Sequence, residues 1–236
     1  MKRVGIIFAM EEELNELKKY LKIEKEYKIF ELTFYEGIIN NVECILVESG
    51  VGKVNAARTT QILIDNIKVD YIFNIGVAGG VDESLKVGDI VLGEKLVQHD
   101  FDITAFNHEK GYIPKVGVYI EPDIYLLTLA DSVFKNIDSV NYKRGIIASG
   151  DIFCTELKMS QKINTKFKAL CVEMEGASIA QVCYLSHIPF LIIRSISDVP
   201  NNDNVVTYEE FLKSSCEIIA LAMSKLLIKL GKDDIV

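Results

Sequence analysis

The chain predicts an α/β fold on a mixed, mostly parallel sheet, and three observations carry that expectation. Apolar runs at Val4–Ala9, Tyr71–Ile75 and Phe190–Ile193 have the unbroken hydrophobicity of strands buried on both faces. Stretches with helical spacing lie between the strand runs, the alternation from which parallel sheets are built. Glycine-containing turns follow several strands, at Ser49–Lys53, Gly76–Gly80 and Gly150–Cys154.

Taken in order, Val4–Ala9 is the first strand. Glu11–Leu21 follows as a helix with Leu14, Leu17 and Leu21 on one face. Acids crowd its first turn, where the helix dipole favours them. Strands are expected around Ile29–Tyr35 and Val42–Glu48, then a helix from the Ser49–Lys53 turn to about Ile67. Tyr71–Ile75 and Asp89–Val97 are strands. Gln98–Val116 is a long irregular segment, a kind often kept for function. Glu121–Asn136 is a helix with Pro122 suited to its first turn. Gly145–Ser149 is a strand, and Ala169–Val172 is a short one that runs into a helix near Glu173–Leu185. The strand Phe190–Asp198 precedes a polar loop, Asn201–Val206, and a closing helix, Tyr208–Leu230. With no repeat, linker or low-complexity tract, the 236 residues suit one domain over 1–236.

Composition narrows the function. Hydrophobic residues make up 49% of the chain, enough for a sizeable core. A net charge of −8 without a basic cluster argues against a nucleic-acid partner. The five cysteines are dispersed and form no C-x-x-C, which suits a reducing, cytoplasmic setting and argues against a zinc site or a disulfide framework. His99, His108 and His187 are too scattered for a metal site, and Cys183 with His187 supplies only two ligands. Val4–Met10 is too short for a signal peptide and is followed at once by three glutamates. No apolar run is long enough to span a membrane.

The strand Phe190–Asp198 poses the chemical question. It carries Arg194 and Asp198, charges that a buried strand tolerates only when paired or opening into a pocket. Glu13 lies just past the first strand, and Glu175 begins the helix after Val172. Each has an ordinary alternative: a solvated helix residue for Glu13, a dipole partner for Glu175, a cap for Asp198. If the strand ends converge, three carboxylates line one cleft, the equipment of glycosidic chemistry. Asp198, after its apolar run, would then be the acid with a raised pKa, and Glu13 the ionised base. Ser49–Lys53 lacks the early glycine of a P-loop, and Gly76–Gly80 does not match G-x-G-x-x-G. Gly76–Gly80 is either a tight turn or a place where backbone approaches a ligand. Phe153 is either a core residue or an aromatic face for a base.

The ordered set Ala9-Met-Glu-Glu-Glu13, Ser49-Gly-Val-Gly-Lys-Val54, Asn74-Ile-Gly-Val-Ala-Gly-Gly80, Val87-Gly-Asp-Ile90, Ser149-Gly-Asp151, Val172-Glu-Met-Glu175 and Arg194-Ser-Ile-Ser-Asp198 spans nearly the whole chain. It closely resembles the 5′-methylthioadenosine/S-adenosylhomocysteine nucleosidases of the purine nucleoside phosphorylase superfamily. The resemblance implies a three-layer α/β/α sandwich around a twisted mixed β-sheet, and a homodimer. It implies irreversible hydrolysis of the adenine–ribose bond of an adenine nucleoside, in methionine salvage, without metal or organic cofactor. By position, Glu13 resembles the base that activates water, and Asp198 the acid that serves adenine N7, with backbone near Cys154 assisting. Glu175 resembles the ribose clamp, Met174 packs under the ribose, and Arg194 joins the water and ribose network. Ser197 steadies Asp198, and Phe153 stacks on the base. Met10, Val51 and Tyr208 match an apolar pocket for the 5′-thioalkyl group. Ile103, Phe106 and Pro114 match a segment lent by the partner subunit. Val77, Gly79 and Glu173 complete the substrate-binding positions that the resemblance implies.

Two departures and two rivals accompany the resemblance. Val77 stands where the family usually has a serine whose hydroxyl supports the acid, and Tyr208 stands where phenylalanine is common. Losing one neutral hydrogen bond costs ~0.5–1.5 kcal/mol, so activity is expected to persist. A phosphorylase on the same fold would need an anion site, which Glu11, Glu12 and Glu13 oppose. A binding protein without catalysis would have no need of all three acids.

Overall fold

The apolar runs assemble into one mixed sheet with helices on both faces. The computed structural model describes residues 2–137, 140–199 and 204–233. In chain order the elements are β1 (Arg3–Phe8), α1 (Glu11–Lys18), β2 (Lys22–Ile29), β3 (Leu32–Ile39), β4 (Val42–Glu48), α2 (Lys53–Ile62) and β5 (Tyr71–Gly80). Then come β6 (Ile90–Gln98), α3 (Ile124–Phe134), β7 (Tyr142–Ser149), α4 (Leu157–Phe167), β8 (Ala169–Glu173), α5 (Gly176–Ser186), β9 (Phe190–Asp198) and α6 (Asn204–Asp233). No described helix is long and apolar enough to cross a membrane.

The sheet order is β2-β3-β4-β1-β5-β8-β7-β6-β9, and β9 also pairs with β5. Five strands, β5, β8, β7, β6 and β9, therefore close into a ring. The strands β4, β1, β5 and β9 run parallel, so their C-terminal ends share one edge. Ring closure covers β9 completely: all nine of its residues are buried. Its side chains alternate between two cores, as the strand's period of two requires. Leu191 and Ile193 pack with Leu17 of α1, Leu127 of α3 and Leu226 of α6, whereas Phe190, Ile192 and Ile196 pack with Ala56 of α2 and Ile179 of α5. A smaller third core lies under α4, around Phe167 and Val172. The α/β/α layering of the sequence expectation is thus present. In α6 the apolar stripe Ile219, Ala220, Met223, Leu227 and Leu230, at helical spacing, faces the first core.

Several expectations need correction. Ile29–Tyr35 is not one strand. Phe30 and Glu31 both take positive φ, 46° and 69°, and turn a two-residue hairpin between β2 and β3. Neither is a turn former, so the sequence hid the turn. Gly76–Gly80 is no turn, since β5 continues through it, paired with β9 as far as Gly79 and with β8 at Gly79 and Gly80. Pro122 precedes α3 instead of opening it; Asp123 is the N-cap, accepting from the Leu126 N–H at 3.0 Å. Helix α4 was not anticipated. Residues 204–206 of the expected polar loop belong to α6, and 201–203 lie outside the described residues. The long segment after β6 is irregular as expected, apart from a short turn of 3-10 helix at Thr104–Phe106.

Candidate active site

Strands β5 and β8 run antiparallel and overlap only at their C-terminal ends, where Gly79 faces Val172 and Gly80 faces Cys171. The ends of β1, β5 and β9 reach the same place from the parallel side. They open onto a cleft with about 650 Å³ of empty space, part of it open to solvent. The end of β1 contributes Met10 and Glu13, and the turn after β4 contributes Val51. Val77 and Gly79 come from β5, Phe153 and Cys154 from the loop after β7. Glu173, Met174 and Glu175 come from the β8–α5 junction, Ser197 and Asp198 from β9, and Tyr208 from α6. The neighbouring residues Ala9, Ala78, Ile152 and Val172 also line the cleft. Sequence reading missed these four, whose only signal is adjacency to the named positions.

Glu13 is 3% exposed, so it is no solvated helix residue. It occupies the third position of α1, and its Oε2 accepts the N–H groups of Ala9 at 2.9 Å and Met10 at 3.1 Å. Its Oε1 accepts the Val77 N–H at 2.9 Å. Burial pushes its pKa above the ordinary carboxylate range, against the pull of Arg194 and the three amides. This revises the expectation of a plainly ionised base. A base whose pKa moves towards neutrality takes up a proton more readily.

The glycines of β5 admit both acids. A Cβ on Gly76 would lie 2.5 Å from Glu13 Oε1, and one on Gly79 would lie 3.2 Å from Asp198 Oδ2. The run is therefore no tight turn, and what its glycines approach closely are the carboxylates of Glu13 and Asp198. Three residues of strand separate the two contacts by about 10 Å. Asp198 reaches Gly79 because the β5–β9 register shifts there: Ala78 pairs with Ile196 and Gly79 with Asp198, which leaves Ser197 as a bulge. The Ser197 hydroxyl donates to Asp198 Oδ1 at 2.9 Å. Val77 meets Glu13 through its backbone N–H, which any non-proline residue supplies.

Glu173 and Glu175 differ sharply despite their spacing of two. Glu173 Oε2 accepts from the Glu175 N–H at 3.1 Å, the Gly176 N–H at 2.7 Å and Arg194 Nη2. Its Oε1 accepts from the Ser149 hydroxyl, whose oxygen in turn accepts the Ala177 N–H at 2.7 Å. Glu173 therefore pins the start of α5 and neutralises Arg194 inside the core. Arg194 does not line the cleft; it also donates to the Asn74 side chain and to the Ile193 carbonyl at 3.1 Å. Glu175 Oε1 accepts the Gly52 N–H at 2.8 Å. Burial, reinforced by the charge of Glu173, pushes Glu175 up to about 7.

The far wall is apolar and aromatic. Phe153 is 46% exposed, hence no core residue, and meets Tyr208 edge-on at 5.7 Å between ring centres. The Tyr208 hydroxyl donates to the Met10 sulfur at 3.2 Å. Ile103, Phe106 and Pro114 stand away from this chain's cleft, and Phe106 is 75% exposed. Among the described residues, no group of three His, Cys, Asp or Glu side chains is arranged to hold a metal ion.

The phosphorylase superfamily model matches residues 3–230. The 5′-methylthioadenosine/S-adenosylhomocysteine nucleosidase of Staphylococcus carnosus is 43% identical over 221 residues, 92% of this chain and 96% of that protein. The structure of the like-named nucleosidase of Colwellia psychrerythraea, in complex with adenine, superposes with a TM-score of 0.93 at 38% identity, covering 97% of this chain and 96% of the other. The futalosine hydrolase of Helicobacter pylori superposes with a TM-score of 0.92 at 34% identity, covering 96% and 97%.

Proposed function

The chain belongs to the phosphorylase superfamily and to its 5′-methylthioadenosine/S-adenosylhomocysteine nucleosidases, and on that premise we propose how its cleft cleaves the adenine–ribose bond. One observation carries the reading: Glu13 and Asp198 approach the same strand through Gly76 and Gly79 and face one cleft. Asp198 gives its proton to adenine N7 as the bond from the sugar to the base breaks. The sugar passes through an oxocarbenium-like state. Glu13 removes a proton from water, whose oxygen bonds to the sugar carbon. The products are adenine and a 5′-thio-substituted ribose, and solvent exchange resets both acids. Glu175 accepts from the ribose hydroxyls, since one carboxylate has room for several donors. Phe153 stacks on adenine, and Met174 packs under the ribose.

Water is favoured over phosphate as the nucleophile. The described lining contains Glu13, Glu173 and Glu175 and no lysine or arginine. The nearby Arg194 is already spent on Glu173. A phosphate dianion would enter an acidic cleft without a counter-charge. Met10, Val51 and Tyr208 suit an apolar 5′ substituent. Phe106 is well exposed, which fits its insertion, with Ile103 and Pro114, into the site of a second copy; the working unit is then a homodimer. All five cysteines are buried and none is in a disulfide among the described residues, which accords with a cytoplasmic setting.

The test is adenine release from 5′-methylthioadenosine, S-adenosylhomocysteine, 5′-deoxyadenosine and 6-amino-6-deoxyfutalosine, with and without phosphate. Release in phosphate-free buffer is expected. Strict dependence on phosphate would replace hydrolysis by phosphorolysis.

A further inference from the structure

Lys53 and Asp100 do not line the cleft, yet they hold the loop that holds Glu175. That loop, between β4 and α2, passes through Gly50 at φ 80° and Gly52 at φ 104°, so its own backbone supplies little stiffness. The Gly52 N–H donates to Glu175. The next residue is fastened three times. The Lys53 N–H donates to Asp151 Oδ1 at 2.8 Å, and its Nζ donates to Asp100 Oδ1 at 2.7 Å and to Gln98 Oε1 at 3.2 Å. Asp100 Oδ2 closes the ring by accepting the Asp151 N–H at 3.0 Å. The Lys53 and Asp100 side chains are only 17% and 20% exposed, which shields the pair from solvent screening. Three loops, after β4, β6 and β7, are thus tied at one ion pair.

We propose that Lys53, Asp100 and Asp151 form a positioning clamp that fixes the Gly52 N–H and, through it, the carboxylate of Glu175. The inference rests on the reading of Glu175 as the ribose clamp. Recognition of a sugar hydroxyl depends steeply on angle and distance, so a carboxylate with a slack anchor loses discrimination first. At the nucleobase end of the cleft, Asp198 on β9 receives none of these bonds, and Phe153, two residues beyond the clamped Asp151, makes none itself, so affinity for the base changes far less. The same ion pair also roots the segment that carries Ile103 and Phe106.

The experiment compares the full chain with Asp100→Asn, which preserves volume, with Lys53→Met and with Lys53→Arg. It measures kcat/KM for 5′-methylthioadenosine and its 3′-deoxy analogue, and the Kd for adenine. Asp100→Asn and Lys53→Met are expected to reduce the preference for the intact ribose roughly tenfold. Adenine Kd should stay within about twofold, and Lys53→Arg should recover most of the preference, because it keeps the charge. An unchanged preference in folded Asp100→Asn overturns the clamp, as does an equal loss for both nucleosides together with weakened adenine binding. Should Lys53→Met not fold, Asp100→Asn alone decides. A wild-type chain that releases no adenine defeats the proposed function itself, a result distinct from either.

Discussion

Adding one methyl group at Gly76 should separate activity from folding. The φ of Gly76 is not in the left-handed region, so alanine fits the backbone. Such a change in a strand would ordinarily stabilise by ~0.4–1 kcal/mol through the unfolded chain. Here the new Cβ would lie 2.5 Å from Glu13 Oε1 and 3.0 Å from its Cδ. A carbon and an oxygen settle at about 3.3 Å or more, so the carboxylate must retreat by roughly 0.8 Å. Retreat stretches the bond from the Val77 N–H to that oxygen, at a cost of about 1 kcal/mol. The cost nearly cancels the gain from alanine, and Tm should move by no more than about 4 °C. The effect on rate is much larger, because a misplacement near 1 Å can cost ~10²-fold. The assay pairs kcat for adenine release with Tm and with the Kd of a non-hydrolysable adenosine analogue. We expect kcat to fall about a hundredfold with Tm nearly constant. Gly79→Ala is the internal control: its Cβ would meet Asp198 Oδ2 at 3.2 Å, a shortfall of about 0.1 Å, and should cost under tenfold. A folded Gly76→Ala protein with kcat within about threefold of wild type would refute the placement of Glu13 at the reacting centre.

Three further outcomes are expected. Asp198→Asn should lower kcat by ~10²–10⁴-fold while the adenosine analogue still binds, and an unchanged kcat would remove Asp198 as the acid. Glu175 is raised from 4.5 to about 7, so the folded chain keeps a proton that the unfolded chain has released. Its contribution to stability is full below about pH 4.5 and is lost as pH rises to about 7. Unfolding midpoints from pH 4 to 8 should show this fall in wild type and a shallower one in Glu175→Gln; identical slopes would exclude Glu175 as its source. Phe106→Glu should raise KM for thioalkyl nucleosides and weaken self-association, measured by kinetics and sedimentation, and no change in either would break the cross-subunit pocket.

Much of this protein was legible in its residues alone. Unbroken apolar runs announced β1, β5 and β9, because strands covered on both faces have no polar side to show. Acids just past such runs, at Glu13, Glu175 and Asp198, marked a cleft, because isolated charges there are too costly to leave in a core. The ordered motifs supplied the family. Other features depended on partners distant in the chain. Nothing local distinguishes Glu173 from Glu175; Arg194, Ser149 and the start of α5 claim the first, and the Gly52 N–H reaches the second. The glycine run after Tyr71 could be strand or turn until β9 paired with it across more than a hundred residues. The bulge at Ser197, the closure of the five-strand ring and the hairpin at Phe30 are likewise set by pairing between strands. Burial pattern and residue chemistry are local and remain visible in one dimension, whereas register and the sharing of hydrogen bonds exist only after distant segments meet.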